Sequence, residues 1–386
     1  MAIPNDLRQM NRRRIVLAML RLGTGSRTQL ARATGLSQPT AGKIVDDLLA
    51  GHVLRNDDAT ATLPAADAGR TGRPAQRLRL DDRRMRFLAV QLGVRNTRVA
   101  LLPVAPPTHD EWPVNFRTPS SASKWVTAVA RAAQTLSRGA PDAVLVSAPG
   151  ILDESTGQLL LSPNLPWANR IDLPALLRPA IGGAAAVHTM QEIRCLALGQ
   201  LAAAPADESF LLVDFGTGVG STAVVGGSPY RGPLPMIGEI GHTPVVGNRR
   251  PCACGGVGCL ETLVSRRAIV RATLGDRSGA SDSALARDWG NVIHELNERG
   301  INLALAKALD AAGAVIAGAL NALGLDRVVI TGSLVDLPTS AVGRVAGAIR
   351  AGTMWARYGD VHVTVAPRRR LAGLASMAIN RVIAPP

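Results

Sequence analysis

The chain has 386 residues, 47% hydrophobic and 19% charged, enough for two or three domains with cores of their own. Its formal charge of +14, from 43 Lys/Arg against 29 Asp/Glu, points toward nucleic acid. The longest uncharged apolar run, Ala311 to Leu325, has 15 residues and is Ala/Gly-rich; it reads as a buried helix rather than a bilayer span, and with no signal-peptide pattern a cytoplasmic protein is expected.

Arginine outnumbers lysine 40 to 3, as in a GC-rich genome, so placement says more than the total. Residues 1–83 hold 14 Arg/Lys against 8 Asp, a net of +6, and the other 303 carry +8. Residues 5–22 predict an amphipathic helix with Ile15, Met19 and Leu22 on one face, broken by Gly23-Thr24-Gly25. Ser26 caps a second helix, 27–34, with Leu30 inward and Gly35 as its left-handed stop. Ser37 caps a third, where Pro39 is tolerated in the first turn and Ile44, Val45, Leu48 and Leu49 form the buried stripe.

This is a helix-turn-helix layout, and the third helix is expected to enter the major groove of operator DNA. Gln38, Thr40 and Lys43 lie off the apolar stripe: Gln matches an adenine edge, and Thr and Lys reach phosphates or base edges. Thr28 and Pro39 complete the expected DNA-facing set on that side. The alternative is a solvated polar face on a small helical bundle. Strands at 52–55 and 76–80 would form a wing. In the loop between them, Gly69-Arg70-Thr71-Gly72-Arg73-Pro74 offers Arg70 and Arg73 to a narrow minor groove, or is a solvated linker. The expected boundaries are 1–58 for the DNA-binding core and 59–83 for wing and linker.

From about residue 84, strands alternate with helices. Residues 87–92, 97–102, 143–147, 210–214, 222–225, 328–331 and 361–365 predict strands, and 122–137, 193–203 and 303–322 helices. An α/β domain of two lobes follows, with a ligand cleft between them.

Three of the four cysteines fall within eight residues, Cys252-Ala-Cys254-Gly-Gly-Val-Gly-Cys259, ten residues after His242. One imidazole and three thiolates make a tetrahedral set for structural zinc, and the glycines let the loop curl. A disulfide or inert thiols are the alternatives; Cys252 and Cys254 are too close for an easy bridge. Cys195 lies in an apolar helical run and is expected to pack there.

Glu-x-Gly-His at 239–242, followed by Cys-x-Cys-Gly-x-x-Gly-Cys-x-Glu at 252–261, resembles the signature of the ROK family of repressors, open reading frames and kinases. The resemblance implies an actin-like (ribonuclease H-like) two-lobed domain over 84–386, with lobes at about 84–190 plus 371–386 and about 191–370. In the repressor branch a winged helix-turn-helix precedes it. The resemblance also implies a sugar site of Gly150, Asn164, Gln191, Glu192, Glu239, His242 and Glu261, with His242 serving metal and sugar together. Asn164 can donate to and accept from a hydroxyl, and each carboxylate can accept from a hydroxyl pair.

Departures from the kinase pattern are equally informative. Family kinases open the domain with Asp-x-Gly-x-Thr; here the strand ends Gln91-Leu92-Gly93, and that carboxylate is gone. The sugar-binding Asn-Asp pair, whose Asp is the kinase base, falls at Gln191-Glu192. The second phosphate loop persists at Asp214 to Gly220, but the adenosine segment is reduced to Thr331-Gly332-Ser333. No catalytic residue is expected. The expectation is a sugar-responsive repressor, a homodimer or homotetramer on a palindromic operator, with structural zinc and no membrane. A sugar kinase with an appended DNA-binding domain and a ligand-independent regulator of the same family are the alternatives.

Overall fold

Helices α1 (Pro4–Leu22), α2 (Arg27–Thr34) and α3 (Gln38–Ala50) open the chain in a computed structural model that describes residues 4–57, 76–137, 139–183, 185–203, 208–275 and 282–385. Ser26 caps α2 by accepting from Gln29 N–H, and the Gln29 side chain accepts from Ser26 N–H in return. Gly35 ends that helix at φ 68°. Ser37 caps α3 through Thr40 N–H. Ile15, Met19, Leu30, Val45 and Leu48 are buried among the three helices. Leu22, expected with them, is 45% exposed because α1 ends there, and Leu49 is only partly buried.

The wing is built from β1 (Thr24–Gly25), β2 (Leu54–Asn56) and β3 (Leu78–Leu80), in the order β1-β3-β2 and antiparallel throughout. The strand expected from residue 52 begins at Leu54 instead: His52 sits at φ 51°, outside extended geometry. The segment predicted only as a break supplies β1. Arg70 and Arg73 lie outside the described residues.

The first lobe holds β4 (Phe87–Leu92), β5 (Asn96–Leu102), β6 (Val114–Arg117), α4 (Ala122–Leu136) and β7 (Ala143–Ala148). A small antiparallel sheet follows, made of β8 (Ile151–Asp153), β9 (Gln158–Leu161) and β10 (Ile171–Asp172), then α5 (Leu173–Leu177) and β11 (Ala186–Gln191). The main sheet runs β11-β7-β4-β5-β6. Strands β4 and β7 are buried at every position, and their sequences are correspondingly apolar almost throughout.

Helix α6 (Glu192–Leu201) leads to the second lobe: β12 (Phe210–Phe215), β13 (Val219–Val225), β14 (Ser228–Pro229), α7 (Glu261–Val264), α8 (Arg266–Leu274), α9 (Asp282–Arg299), α10 (Leu303–Leu323), β15 (Arg327–Gly332), α11 (Thr339–Gly352) and β16 (His362–Val365). Its sheet order is β14-β13-β12-β15-β16. Helix α10 is longer than the 15-residue run read from sequence. Its 21 residues are long and apolar enough to cross a membrane by length and composition alone. Leu305, Leu309, Ala312, Ile316 and Leu320 nevertheless form one face buried in the second lobe's core, which also takes Val345 and Ile349 of α11.

The chain then returns through α12 (Arg370–Ala378), which runs into one π turn, Ile379–Ile383, and packs on α6. A Cβ on Gly373 would collide with Cys195 O and one on Gly199 with Arg369 O, so the backbones touch at this crossing. Head and first lobe share one core: Ile15, Leu48 and Leu54 cluster with Phe87, Leu102, Leu374 and Ile383. Each such side chain contributes roughly 1.5–3 kcal/mol on burial, so the head is docked on the lobe. Arg86 adds a tie, donating to Gly51 O at 2.9 Å while paired with Asp142 at 2.5 Å.

Candidate functional site: an interlobe cleft and a cysteine loop

A cavity of about 920 Å³ opens where the two lobes face each other. Gly150, Asn164, Gln191, Glu192, Glu239, His242 and Glu261 all line it. Gly150 must be glycine: φ is 92°, and a Cβ would run into the backbone of Leu161 and Ser162. Trp167, close to Asn164 in sequence, packs on Trp125 at 6.1 Å in the first lobe's core instead.

Below the cavity the cysteine loop folds back on itself through Val245 N–H to Gly258 O at 2.8 Å and Cys252 N–H to Gly256 O at 2.9 Å. The candidate ligand atoms of His242, Cys252, Cys254 and Cys259 all lie within 4.8 Å of one another. A tetrahedral ion with metal–sulfur bonds of about 2.3 Å sets ligand–ligand edges of about 3.8 Å. The Cys254–Cys259 sulfurs are 3.7 Å apart, and Cys252 Sγ is 3.6 Å from His242 Nδ1. These four residues therefore form a cluster able to hold a metal ion. Burial pushes the Cys252 thiol up to about 12, while the Gly256 N–H pulls Cys254 down. Cys195, buried against Arg370 O, is raised strongly by burial and packs in the core as expected.

His242 faces both ways. Its Nδ1 points to the cysteines, and its Nε2 lies 3.9 Å from Glu239 Oε2. Gln191 Nε2 donates to Glu239 Oε1 at 3.3 Å, and burial raises the Glu239 pKa. Glu261 lines the cavity and is also held by the protein. Its Oε2 accepts from Val219 N–H at 3.1 Å and its Oε1 lies 3.7 Å from Cys252 Sγ, so it braces the Gly-rich hairpin against the cysteine loop.

The other end of the cleft is threaded with arginine. Gln91 Oε1 accepts from Arg98 at 2.7 Å, and Gln91 Nε2 donates to Glu192 Oε1 at 2.8 Å. Arg370 holds the same Glu192 oxygen at 2.9 Å. Asp214 is gripped at two points by Arg368. Sequence reasoning missed Arg98, Arg368 and Arg370; the run Pro367-Arg368-Arg369-Arg370 was the visible signal. It also missed Glu154, which accepts from Gln191 N–H at 3.4 Å and pairs with Arg194 at 3.0 Å.

On the head, Thr28, Gln38, Pro39, Thr40 and Lys43 are all exposed. The Thr40 hydroxyl lies 2.8 Å from that of Ser37. The neighbouring acids are paired, Asp47 with Arg8 at 2.7 Å and Asp46 with Arg27 at 2.6 Å, which offsets their repulsion of a polyanion.

The ROK family profile matches residues 87–370. The xylose repressor of Caldicellulosiruptor bescii is 24% identical over 278 residues, 68% of this chain and 66% of that protein. The glucokinase of Halalkalibacterium halodurans is 27% identical over 212 residues, 53% of this chain and 63% of the kinase. The chain thus spans less than two thirds of the length of either curated relative. The crystal structure of a ROK family transcriptional regulator, a homologue of the E. coli MLC protein, superposes with a TM-score of 0.72 at 20% identity, covering 97% of this chain and 96% of its own. That likeness extends the shared fold through the head. Both main sheets, the cleft and the whole cysteine loop fall inside the matched residues, and the chain belongs to the ROK family.

Proposed function

We propose that this protein is a sugar-responsive transcriptional repressor, released from its operator by a sugar or sugar derivative. One observation carries the proposal: an exposed recognition helix sits on a head docked to a cleft whose phosphoryl-transfer carboxylates are replaced or tied to arginine. In this proposal residues 1–58 form the DNA-binding core, 59–83 the wing and linker, and 84–386 the sensing and dimerising domain. Gln38, Thr40 and Lys43 meet the major groove, and Thr28 the flanking backbone. Asn164 and Glu239 take sugar hydroxyls, with Gln191 and His242 fixing the Glu239 carboxylate.

Zinc is the metal proposed for the cluster, held by His242, Cys252, Cys254 and Cys259; it would supply a rigid cross-link under the cleft with no open position. His242, oriented from the metal side, then presents its second nitrogen to Glu239. Closing of the lobes around a sugar would shift the first lobe and its docked head together. In a homodimer on a palindromic site, that changes the spacing of the two recognition helices. Such a protein works in the cytoplasm.

The test is fluorescence anisotropy with duplexes from the DNA flanking its own gene, with and without a panel of pentoses, hexoses and amino sugars. A specific duplex released by one sugar is the expected result. Failure to bind any flanking duplex would remove the repressor assignment, and binding indifferent to every sugar would leave the ligand-independent alternative.

A further inference from the structure

A continuous polar connection runs from the cleft to the DNA-binding head. The β8–β9 hairpin has both its ends in the cleft: Gly150 and Ile151 line the cavity on one side, Leu161 and Asn164 on the other. Its turn carries Glu154, whose side chain is 12% exposed. Glu154 Oε1 accepts from Gln191 N–H at 3.4 Å and pairs with Arg194 at 3.0 Å. The other oxygen meets Arg381 at 3.4 Å. Arg381 belongs to the π turn after α12, closed by Ala384 N–H to Ile379 O at 2.8 Å. Arg13 of α1 grips that turn, donating to Asn380 Oδ1 at 3.1 Å and to Ala384 O.

We propose that Glu154 is a positioning residue that passes the state of the cleft to the DNA-binding head, through Arg381 and the turn held by Arg13. Three features support this. A ligand drawn onto Asn164 or Gly150 leans on a hairpin whose far end is Glu154. The Arg381–Glu154 contact is long for a charge-assisted bond, which settles nearer 2.7–2.9 Å, so it has room to tighten or open. A single π turn is also a common irregularity at functional sites, and here it presents both acceptors to Arg13. The shared apolar core holds the head in place, whereas this connection consists of a few polar contacts that can be engaged or released, as a coupling element requires.

The inference rests on the reading that the cleft senses and the head binds DNA, yet its test needs neither ligand nor operator. Coupling is reciprocal, so loosening the head end must reach the hairpin. In hydrogen exchange on the full-length protein, Arg13→Gln should speed exchange of amides in the 151–161 hairpin by at least about fivefold, the low end of usual coupling. Arg381→Gln, whose side chain is 29% exposed and so a mild change for the fold, should do the same. In a Glu154→Gln background neither substitution should have further effect on the hairpin. Unchanged hairpin exchange in Arg13→Gln and Arg381→Gln, or the same acceleration with Glu154 already replaced, would overturn the proposal. A merely structural role would lower the melting temperature without this dependence on Glu154. Failure of the repressor reading appears separately, as wild-type protein that binds no DNA while the coupled exchange stands.

Discussion

Arg368 and Asp214 are joined by two parallel hydrogen bonds, Nε to Oδ1 at 2.6 Å and a terminal nitrogen to Oδ2 at 2.8 Å. The same guanidinium donates to Phe215 O at 2.9 Å and lies where a Cβ on Gly216 or Gly332 would come within 2.8 or 2.6 Å of it. Glycine in the hairpin that resembles a phosphate loop therefore makes room for the protein's own cation. Burial alone would raise the Asp214 pKa; Arg368's charge and hydrogen bonds, with the Thr331 hydroxyl at 2.7 Å, outweigh it and hold the carboxyl low.

Asp214→Asn should therefore destabilise the protein by about 3 kcal/mol at pH 7, as for a buried pair losing one partner. The folded pKa lies below the unfolded value of about 3.9. The pair's contribution is thus complete above that value and lost as pH falls through the folded pKa. Denaturant melts of wild type and variant should be far apart at neutral pH and converge in acid. A gap that stays constant into strong acid would show that the ion pair is not its source.

Lys43→Ala and Gln38→Ala should separate phosphate contact from base contact. Both side chains project from the exposed face of α3. Lys43→Ala is expected to weaken all duplexes alike and to reduce the salt slope by about one. Gln38→Ala should cost about 1–3 kcal/mol at one base pair and relax specificity there. Affinity measured across a set of single-base operator variants distinguishes them; a uniform loss for Gln38→Ala would remove it from base readout.

Why these features were legible, and others not, has a physical basis. Local chemistry announces itself: Ser26, Gly35 and Ser37 are caps and stops acting within four residues, and the runs at 87–92 and 143–148 are apolar because both faces of those strands are covered. The cysteine loop is local as well. Strand β11 was missed because it is an edge strand with His188 and Thr189 interrupting its apolar residues. Helices α8, α9 and α11 carry mixed surfaces without the Ala/Leu density that marked α10. The arginines of the cleft were the least accessible. Arg368 meets a partner 154 residues away and Arg370 one 178 away, and charge in a sequence does not say which acid it will find.

Cys254→Ser tests the metal cluster. Purified wild-type protein should carry about one zinc per chain by elemental analysis, and the variant should lose it along with thermal stability, at roughly 2–4 °C for each kcal/mol lost. Because Cys252 also meets Glu261 at 3.7 Å, the Gly-rich hairpin should loosen with the loop. Metal-free wild type that melts at the same temperature as protein incubated with zinc would contradict a structural ion.

Glu239→Gln and Glu261→Gln should divide binding from support. Glu239 is polarised by Gln191 and His242 toward the cavity, so its substitution should weaken sugar binding about 10- to 100-fold, the loss of a 1.5–3 kcal/mol charged hydrogen bond, with little change in melting temperature. Glu261 already accepts from Val219 N–H, bracing the Gly-rich hairpin, so Glu261→Gln should show first as reduced stability. Calorimetric titration beside thermal melts gives both numbers. The reverse pattern would exchange the two roles.

Phosphoryl transfer is not expected in this cleft. Transfer needs a metal-bound triphosphate and a base free to take the sugar hydroxyl proton. Gln91 is neutral, and its amide is spent between Arg98 and Glu192. Glu192, the remaining candidate base, accepts from both Gln91 and Arg370 on the same oxygen, Oε1, which ties the carboxylate to the protein. Asp214, the other acid near the expected phosphates, is closed by Arg368. These are three separate obstacles, and Gln91→Asp removes only one, placing a new carboxylate beside Arg98. ADP release assayed with a panel of sugars should stay at background for wild type, for Gln91→Asp and for Glu192→Gln alike. Sugar-dependent turnover in wild type that disappears in Glu192→Gln would make the protein a kinase carrying a DNA-binding head.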